Sequence, residues 1–283
     1  MKKPIQFTKM HGLGNDFIVI DAINQRLDEL NLNQLATDLC NRNFGIGADG
    51  LILVLKSDKS DFKMRIFNAD GSEPEMCGNG IRCFSKFLYD NKLVEKDIFS
   101  VETLGGIIVP ALILKDGFIE AIEVDMGKPI FETKEIPVVG INKEKILNEP
   151  IRIANETFLF TAVSMGNPHA VVFVDDLQKI DIDTIGPLFE TNSYFPEKIN
   201  VEFVQIINRN EIALIVWERG AGRTLACGTG AAACVAAGIM NGLLERRVIV
   251  HLPGGNLIIE WQNDEELIMT GPAETVFKGE IDY

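Results

Sequence analysis

Hydrophobic residues recur along the chain in short runs that are rich in β-branched and aromatic side chains, a pattern typical of β-strands. In the first half the runs read FIVID, GLILVL and FKMRIF, and in the second half they read HAVVFV, VEFVQI and IALIVW. Turn-forming residues such as DGSEPEM separate them from the next element. The pattern predicts that both halves are built mainly from strands.

Two further segments have the character of helices. The run LNQLATDLC is amphipathic, whereas GTGAAACVAAGIM, which follows Cys227, is small and apolar on every face. A helix of the second kind is enclosed by other structure, and a mostly antiparallel sheet wrapped around it fits. Each half is thus predicted to contain a Gly-Asn turn, a strand, a helix or loop, a hairpin, and a CGxG turn that opens a helix.

The two halves match each other in three segments, two of them at an offset of 150 residues and the third more loosely. The segment MRIFNADGSEPEMCGNGIRC aligns with LIVWERGAGRTLACGTGAAAC, which places Cys77 over Cys227. The same offset places the run starting at Gly50 on the run starting at Asn200, and GNDFIVID resembles GNPHAVVFVDD. Three matches in the same order indicate an internal duplication.

The duplication and a length of 283 residues predict two domains. We expect the first to span residues 1–120, with residues 272–283 returning to it, and the second to span residues 121–271. The connection is expected near Ala111 to Val124. The predicted class is α/β of the α+β type.

Composition and charge narrow the class of protein. A formal net charge of -14 and the lack of a Lys/Arg run argue against a nucleic-acid partner. The two lysines near the N-terminus precede no apolar stretch long enough for a signal peptide or a membrane span. Five cysteines, an odd number, argue against a disulfide framework. We therefore expect a cytoplasmic protein with free thiols and no membrane partner.

The two CGxG turns place Cys77 and Cys227 at helix N-termini. Unpaired backbone N–H groups and the helix dipole there are expected to lower the pKa of a thiol. If the halves pack around a pseudo-two-fold axis, the thiols approach one small ligand from opposite sides. One thiolate then removes an α-proton while the opposite thiol supplies another, which inverts a stereocentre. The helix-mouth amides expected to hold the substrate carboxylate belong to Gly78, Asn79, Gly228 and Thr229.

Other uses of these residues fit less well. The C-x5-C and C-x6-C spacings are neither thioredoxin-like nor typical of zinc ligands. A phosphatase loop needs Arg six residues after Cys77, whereas Arg82 is five residues after it. The run GTGAAA matches a dinucleotide-binding pattern, but ERGAGRTLAC separates it from the strand LIVW. We therefore expect no metal and no organic cofactor.

Several longer motifs in order, KMHGLGNDF, RIFNADGSE, CGNGIRC, SMGNPH, ERGAGRTLACGTG and LPGG, cover nearly the whole chain, which thereby resembles the diaminopimelate epimerase family. The resemblance implies two similar domains related by a pseudo-two-fold axis, each a mixed, mostly antiparallel sheet curled around a central helix. It also implies interconversion of LL- and meso-diaminopimelate without pyridoxal or metal, and a homodimer. The implied catalytic residues are Cys77 and Cys227. The implied substrate contacts are Asn15, Asn68, Gly78, Asn79, Asn167, Asn200, Glu218, Arg219, Gly228 and Thr229.

The residue types suit that substrate, because Arg219 can bind a carboxylate through two hydrogen bonds and Glu218 can accept from an ammonium group. The structural alternative is that the asparagines are turn residues and that Glu218 and Arg219 form a surface pair. For His169, a structural role and a hydrogen bond to the substrate are both open. The remaining cysteines, Cys40, Cys83 and Cys234, are assigned to packing.

Two positions depart from the family pattern. Gly50 stands where some members carry Gln, and Arg223 stands where others carry an acidic residue. Two alternative functions remain open at this stage: a proline or hydroxyproline racemase of the same fold, and a non-catalytic protein that binds amino acids.

Overall fold

The hydrophobic runs form the strands of two sheets in the computed structural model, which describes residues 4–25, 27, 30–263 and 265–283. The elements of the first part are β1 (Pro4–Gly12), β2 (Asn15–Asp21), α1 (Leu32–Cys40), β3 (Gly50–Leu55), β4 (Phe62–Asn68), α2 (Gly78–Asp90), β5 (Val101–Thr103), β6 (Gly106–Ile108), β7 (Ala111–Lys115) and β8 (Phe118–Asp125). Those of the second part are β9 (Glu149–Ile153), β10 (Glu156–Ser164), β11 (Pro168–Val174), α3 (Ile182–Glu190), β12 (Asn200–Asn208), β13 (Glu211–Glu218), β14 (Gly222–Thr224), α4 (Gly228–Met240), β15 (Arg247–Leu252), β16 (Gly255–Trp261), β17 (Leu267–Gly271) and β18 (Glu274–Asp282).

The chain divides into two units, which we call unit 1 (Met1–Asp125 with Thr270–Tyr283) and unit 2 (Met126–Met269). Residues 111–124, near which the connection was expected, form the hairpin β7–β8, and the division between the units follows directly at Asp125 and Met126. Asp116 and Gly117 make its two-residue turn, with φ values of 54° and 79°. Because Asp-Gly at positive φ is a favoured hairpin turn, this segment folds back on itself.

Both sheets are mixed and mostly antiparallel. In unit 1 the strand order is β18-β1-β2-β3-β4-β5-β6, with β2–β3 and β4–β5 parallel. In unit 2 the order is β17-β16-β15-β13-β12-β11-β10-β9, with β11–β12 and β13–β15 parallel. The predicted α+β class is confirmed.

The offset of 150 residues seen in the sequence is also the offset between equivalent elements. β3 and β12 begin at Gly50 and Asn200, and α2 and α4 begin at Gly78 and Gly228. Each of these two helices has 13 residues. The duplicated order of strand, helix, hairpin and CGxG helix is therefore present in both units.

Two helices, α2 and α4, pack against strands of their own units. α2 packs against β1 and β2 of the unit 1 sheet and against the hairpin strand β8, and α4 packs against β10, β11, β12 and β16. The small apolar residues of α4 are buried on every face, as predicted. Cys40, Cys83 and Cys234 are buried among core residues, which confirms their assignment to packing.

Candidate active site

Cys77 is the residue that caps the N-terminus of α2. Its backbone is extended, with φ −142° and ψ 119°, and Gly80 N–H donates to its sulfur at 3.4 Å. Such a bond satisfies one of the helix N–H groups that lack an intrahelical partner. This N-terminal end of α2, which we call the first helix mouth, forms because DGSEPEM turns the chain out of β4 and directly into the helix.

A chain of hydrogen bonds connects the first helix mouth to a buried cation. Asn15 Oδ1 lies 3.9 Å from the Cys77 sulfur and accepts from Asn79 Nδ2 at 3.1 Å. Asn79 Oδ1 accepts in turn from Arg82 Nη2 at 2.9 Å. The structure thus brings three of the predicted residues together, and it adds Arg82 behind them.

Arg82 is completely buried and also donates to the carbonyl oxygens of Gly78 and Pro272. Burial lowers the pKa of its guanidinium, and negative charge at Cys83 and Cys77 acts in the opposite direction. A thiolate at Cys77 and this cation therefore stabilise each other. Asn68, which ends β4, is exposed, and its side-chain amide donates to the Ser72 hydroxyl at 2.9 Å.

Cys227 caps the N-terminus of α4, which we call the second helix mouth, with the same geometry. Its φ is −123° and its ψ is 112°, and Gly230 N–H donates to its sulfur at 3.4 Å. The hydroxyl of Thr229 lies 3.4 Å from the same sulfur.

The ionisation of Cys227 differs from the sequence-based expectation. Burial raises the pKa of this thiol well above its ordinary value, and the negative charges of Glu218 and Glu202 raise it further. Hydrogen bonds from Thr229 and Gly230 oppose the increase but are outweighed. The prediction that the helix N-terminus lowers the thiol pKa was therefore wrong for Cys227. Desolvation and the two carboxylates raise the pKa by more than the helix end lowers it.

Glu218 ends β13 beside the second helix mouth. Burial raises the pKa of its carboxyl group, and the charge of Glu202 acts in the same direction. Hydrogen bonds with the Thr224 hydroxyl and the Cys227 thiol partly compensate. Glu218 is therefore a partly desolvated carboxylate next to the sulfur and not a member of a surface pair.

A second hydrogen-bond chain approaches Cys227 from β11 and β12. The buried ring of His169 lies between Glu202 Oε1, 2.7 Å from its Nδ1, and Asn167 Oδ1, 3.0 Å from its Nε2. Asn167 Nδ2 donates to Thr229 Oγ1 at 3.3 Å. His169 is thus a satisfied buried histidine, one of the two roles left open by the sequence, and it is joined to the mouth through Asn167.

Asn200 and Arg219 lie together at the neighbouring strand ends. The side chain of Asn200 is buried, donates to the Pro168 carbonyl at 2.8 Å and accepts from the Arg219 backbone N–H at 2.8 Å. The Arg219 guanidinium is exposed and donates to the Glu197 carbonyl at 3.2 Å. Asn200 therefore holds the backbone that carries Arg219.

The two departures from the family pattern have local explanations. A Cβ at Gly50 would lie 2.7 Å from the Phe67 carbonyl oxygen, so no larger side chain fits there without a shift. Arg223 forms an exposed ion pair with Asp183 at 3.1 Å.

Two residues of this site were missed by the sequence analysis. Glu202 is a single charge in the apolar run VEFVQI, and Arg82 is a charge inside the helix GNGIRCF. For Glu202, the duplication could have served as a signal. Ile52 stands at the equivalent position of the first half, so the two copies differ there in charge. A charge in one copy opposite an apolar residue in the other marks a site where the copies have diverged.

Within the described residues, no group of three or more His, Cys, Asp and Glu side chains is arranged to hold a metal ion. In the same part of the chain, no helix has the length and apolar character needed to cross a bilayer.

The fold and the paired N-cap thiols define a class of duplicated α+β proteins with one cysteine at each central helix mouth. A solved phenazine biosynthesis protein of the PhzF family from Bacillus anthracis has this fold, with a TM-score of 0.71 at 17% identity over 99% of both chains. The sequence model of diaminopimelate epimerase matches residues 7–132 and 161–276. The chain belongs to the diaminopimelate epimerase family.

Relatives with that name match the chain over nearly its full length. The diaminopimelate epimerase of Pelotomaculum thermopropionicum is 50% identical and covers 99% of this chain and 99% of its own. The diaminopimelate epimerase of Carboxydothermus hydrogenoformans is 54% identical and covers 98% of this chain and 99% of its own.

Proposed function

We propose that this chain interconverts LL- and meso-diaminopimelate, an isomerase reaction of lysine synthesis, by moving an α-proton between Cys77 and Cys227. The observation that carries the proposal is the equivalent placement of the two thiols. Each caps the central helix of its unit and accepts one helix N–H at 3.4 Å. Family membership and relatives of about 50% identity named diaminopimelate epimerase support the choice of substrate.

The reaction needs one base and one acid on opposite faces of the carbon. A thiolate removes the α-proton and becomes a thiol, while the electron pair of the C–H bond is delocalised into the substrate carboxylate. The opposite thiol then delivers its proton to the other face and becomes a thiolate. Backbone N–H groups at the helix mouths, at Gly78, Asn79, Gly228 and Thr229, would stabilise the charge on the carboxylate.

The surroundings of the thiols favour different starting forms. Cys77 lies near the buried cation Arg82, which would stabilise a thiolate there, and we therefore assign Cys77 as the base. Cys227 has a raised pKa and is the acid that delivers the proton. After one turnover the forms are exchanged, so the reverse reaction uses Cys227 as the base.

The amino-acid end that is not inverted requires its own partners. We assign its carboxylate to the exposed guanidinium of Arg219, whose backbone is held by Asn200. We assign its ammonium group to Glu218 and to the side-chain oxygens of Asn15, Asn68 and Asn167.

A homodimer is proposed on the basis of one sheet edge. β18 is the outer strand of the unit 1 sheet, and Val276 and Phe277 on it are exposed. Pairing of two such edges would cover both side chains. Light scattering should give twice the chain mass for the wild type and a single-chain mass for Phe277→Lys, with Phe118→Lys as the exposed control. A cytoplasmic location stays a prediction that cell fractionation would test.

The decisive test is isotope exchange in heavy water. LL-Diaminopimelate incubated with the protein should gain deuterium at one α-carbon while the meso isomer accumulates. Binding without exchange would favour a non-catalytic amino-acid binder. Exchange of L-proline or trans-4-hydroxy-L-proline, with none of diaminopimelate, would favour the racemase alternative.

A further inference from the structure

Units 1 and 2 differ most at one pair of buried positions. In unit 1, the parallel strands β2 and β3 place Phe17 opposite Gly50, and Ile52 follows two residues later. In unit 2, the parallel strands β11 and β12 place His169 opposite Asn200 in the same register, and Glu202 follows two residues later. An apolar pair in one unit is therefore a hydrogen-bonded histidine–glutamate pair in the other.

The fold does not need this pair, because the equivalent positions of unit 1 are filled by Phe17 and Ile52, both buried. The side chains of His169 and Glu202 are completely buried, and the second carboxylate oxygen of Glu202 has no hydrogen-bond partner within the described part of the chain. Desolvation makes such a pair expensive, and apolar replacements are often neutral or stabilising. A pair kept at this cost in only one copy points to a role in that copy.

The pair is connected to the thiol of Cys227. Both nitrogens of His169 face oxygen atoms, Glu202 Oε1 and Asn167 Oδ1, and a ring that donates to both of them carries a proton on each nitrogen. Because Asn167 Oδ1 accepts from the ring, its Nδ2 is the end that donates to Thr229 Oγ1. The Thr229 hydroxyl hydrogen is then left to point at the Cys227 sulfur, 3.4 Å away.

We infer that Glu202 is a positioning residue: by holding His169 as an imidazolium, it fixes the orientation of the Asn167 amide and directs the Thr229 hydroxyl to the Cys227 sulfur. Without the carboxylate the ring becomes neutral, its Nε2 accepts, and the Asn167 amide turns over to donate to it. Thr229 then donates to Asn167 and no longer to the sulfur. The inference rests on the proposed function only through the role of Cys227.

Three titratable side chains from neighbouring strands surround the Cys227 sulfur within the described residues, namely His169 on β11, Glu202 on β12 and Glu218 on β13. Glu202 packs closely against the helix, since a Cβ on Gly230 would lie 2.6 Å from its Oε1 and 3.3 Å from the Cys227 Cβ. Only a glycine at this position admits the carboxylate.

The test is a double-mutant cycle between Glu202→Gln and Thr229→Val. Glu202→Gln should lower kcat by about tenfold to a hundredfold, as a small misplacement of a reacting group does. In the Thr229→Val background the same change should lower kcat by no more than about twofold. Glu211→Gln is the matched control, because Glu211 pairs with His251 at the same 2.7 Å in a partly exposed position.

Two readouts do not depend on the substrate. In the first, the double-mutant cycle is repeated with the rate at which iodoacetamide alkylates Cys227. Glu202→Gln should again change this rate less in the Thr229→Val background than in the wild type. Nitrogen-15 spectra of the three histidines should show His169 with two ring protons in the wild type and one in Glu202→Gln. If the wild type does not epimerise diaminopimelate, the proposed function is wrong. The alkylation rates and the nitrogen-15 spectra would then still test the role of Glu202.

The outcomes that overturn the inference are specific. They are a kcat of Glu202→Gln within twofold of the wild type, multiplicative effects in the cycle, or a doubly protonated His169 in Glu202→Gln. If Glu202→Gln does not fold, His169→Phe with Glu202→Ile installs the apolar pair of unit 1 and should fold with a low kcat that Thr229→Val does not lower further. Loss of folding in both variants would make the pair structural and would also overturn the inference.

Discussion

The two helix mouths share one backbone geometry and have opposite charged surroundings. Both thiols cap a 13-residue helix and both accept the N–H of a glycine three residues later at 3.4 Å. Behind Cys77 lies the buried cation Arg82, whereas Glu202 and Glu218 lie beside Cys227. The backbone geometry around the thiols is thus shared by the two units, whereas the charged groups beside the thiols differ.

The largest effect is expected from removing either sulfur. Cys77→Ala and Cys227→Ala should each reduce epimerisation by about a thousandfold or more, because neither the proton donor nor the acceptor has a substitute. Cys40→Ala is the control, since this buried thiol lies in the core of unit 1. Turnover within tenfold of the wild type in either active-site variant would break the assignment of one base to each unit.

Glu218→Gln is expected to lower kcat/KM by about a hundredfold, because it removes the charge that we assign to the substrate ammonium.

The same substitution should raise the stability of the fold at neutral pH. Since burial raises the folded-state pKa of this carboxyl group, its contribution to stability is present below its ordinary value of 4.5 and is lost as the pH rises through the raised value. Thermal unfolding should therefore show the variant more stable than the wild type at neutral pH, with no gain at pH 3. A loss of stability at neutral pH would contradict the electrostatic account of the second mouth.

Arg82→Met tests the first mouth. Removing the cation should make the Cys77 thiolate form less readily and slow its alkylation by iodoacetamide about tenfold at neutral pH, as a change of about 1.4 kcal/mol does. The alkylation rate of Cys227 in the same sample is the reference. If Arg82→Met leaves the Cys77 rate unchanged, the two mouths do not differ through Arg82.

The smallest effect on activity is expected at Asp16, which supports β2 behind Asn15. Burial opposes its ionisation, but hydrogen bonds from Arg42 and Lys9 lower the pKa of Asp16 to about 2. A lowered pKa stabilises the fold above the ordinary value of 3.8, and this stability is lost as the pH falls through 2. Asp16→Asn should reduce the free energy of unfolding by about 2 kcal/mol at neutral pH and leave it unchanged near pH 2. Denaturant titrations at both pH values measure this, and an equal loss at both would contradict the ion-pair explanation.

Much of the fold could be predicted because it depends on local patterns. The strand runs, the CGxG helix starts and the offset of 150 residues are all contained in the order of the residues. The hairpin of residues 111–124 was read as a connection, although its Asp-Gly turn is a recognisable signal.

The ionisation of the thiols could not be predicted, because it depends on groups that the fold brings from other strands. Glu202 belongs to β12 and Glu218 ends β13, and only the packed sheet places both beside Cys227. A helix N-terminus is a local feature, so it was visible in the sequence. The burial that outweighs it was not.

The central claim is that the two equivalent thiols ionise unequally. The most direct measurement is the rate of iodoacetamide alkylation of Cys77 and of Cys227 in one sample as a function of pH, with each cysteine quantified by peptide mass spectrometry. The midpoint for Cys77 should lie at a lower pH than the midpoint for Cys227. Coincident midpoints, or a lower midpoint for Cys227, would contradict the claim.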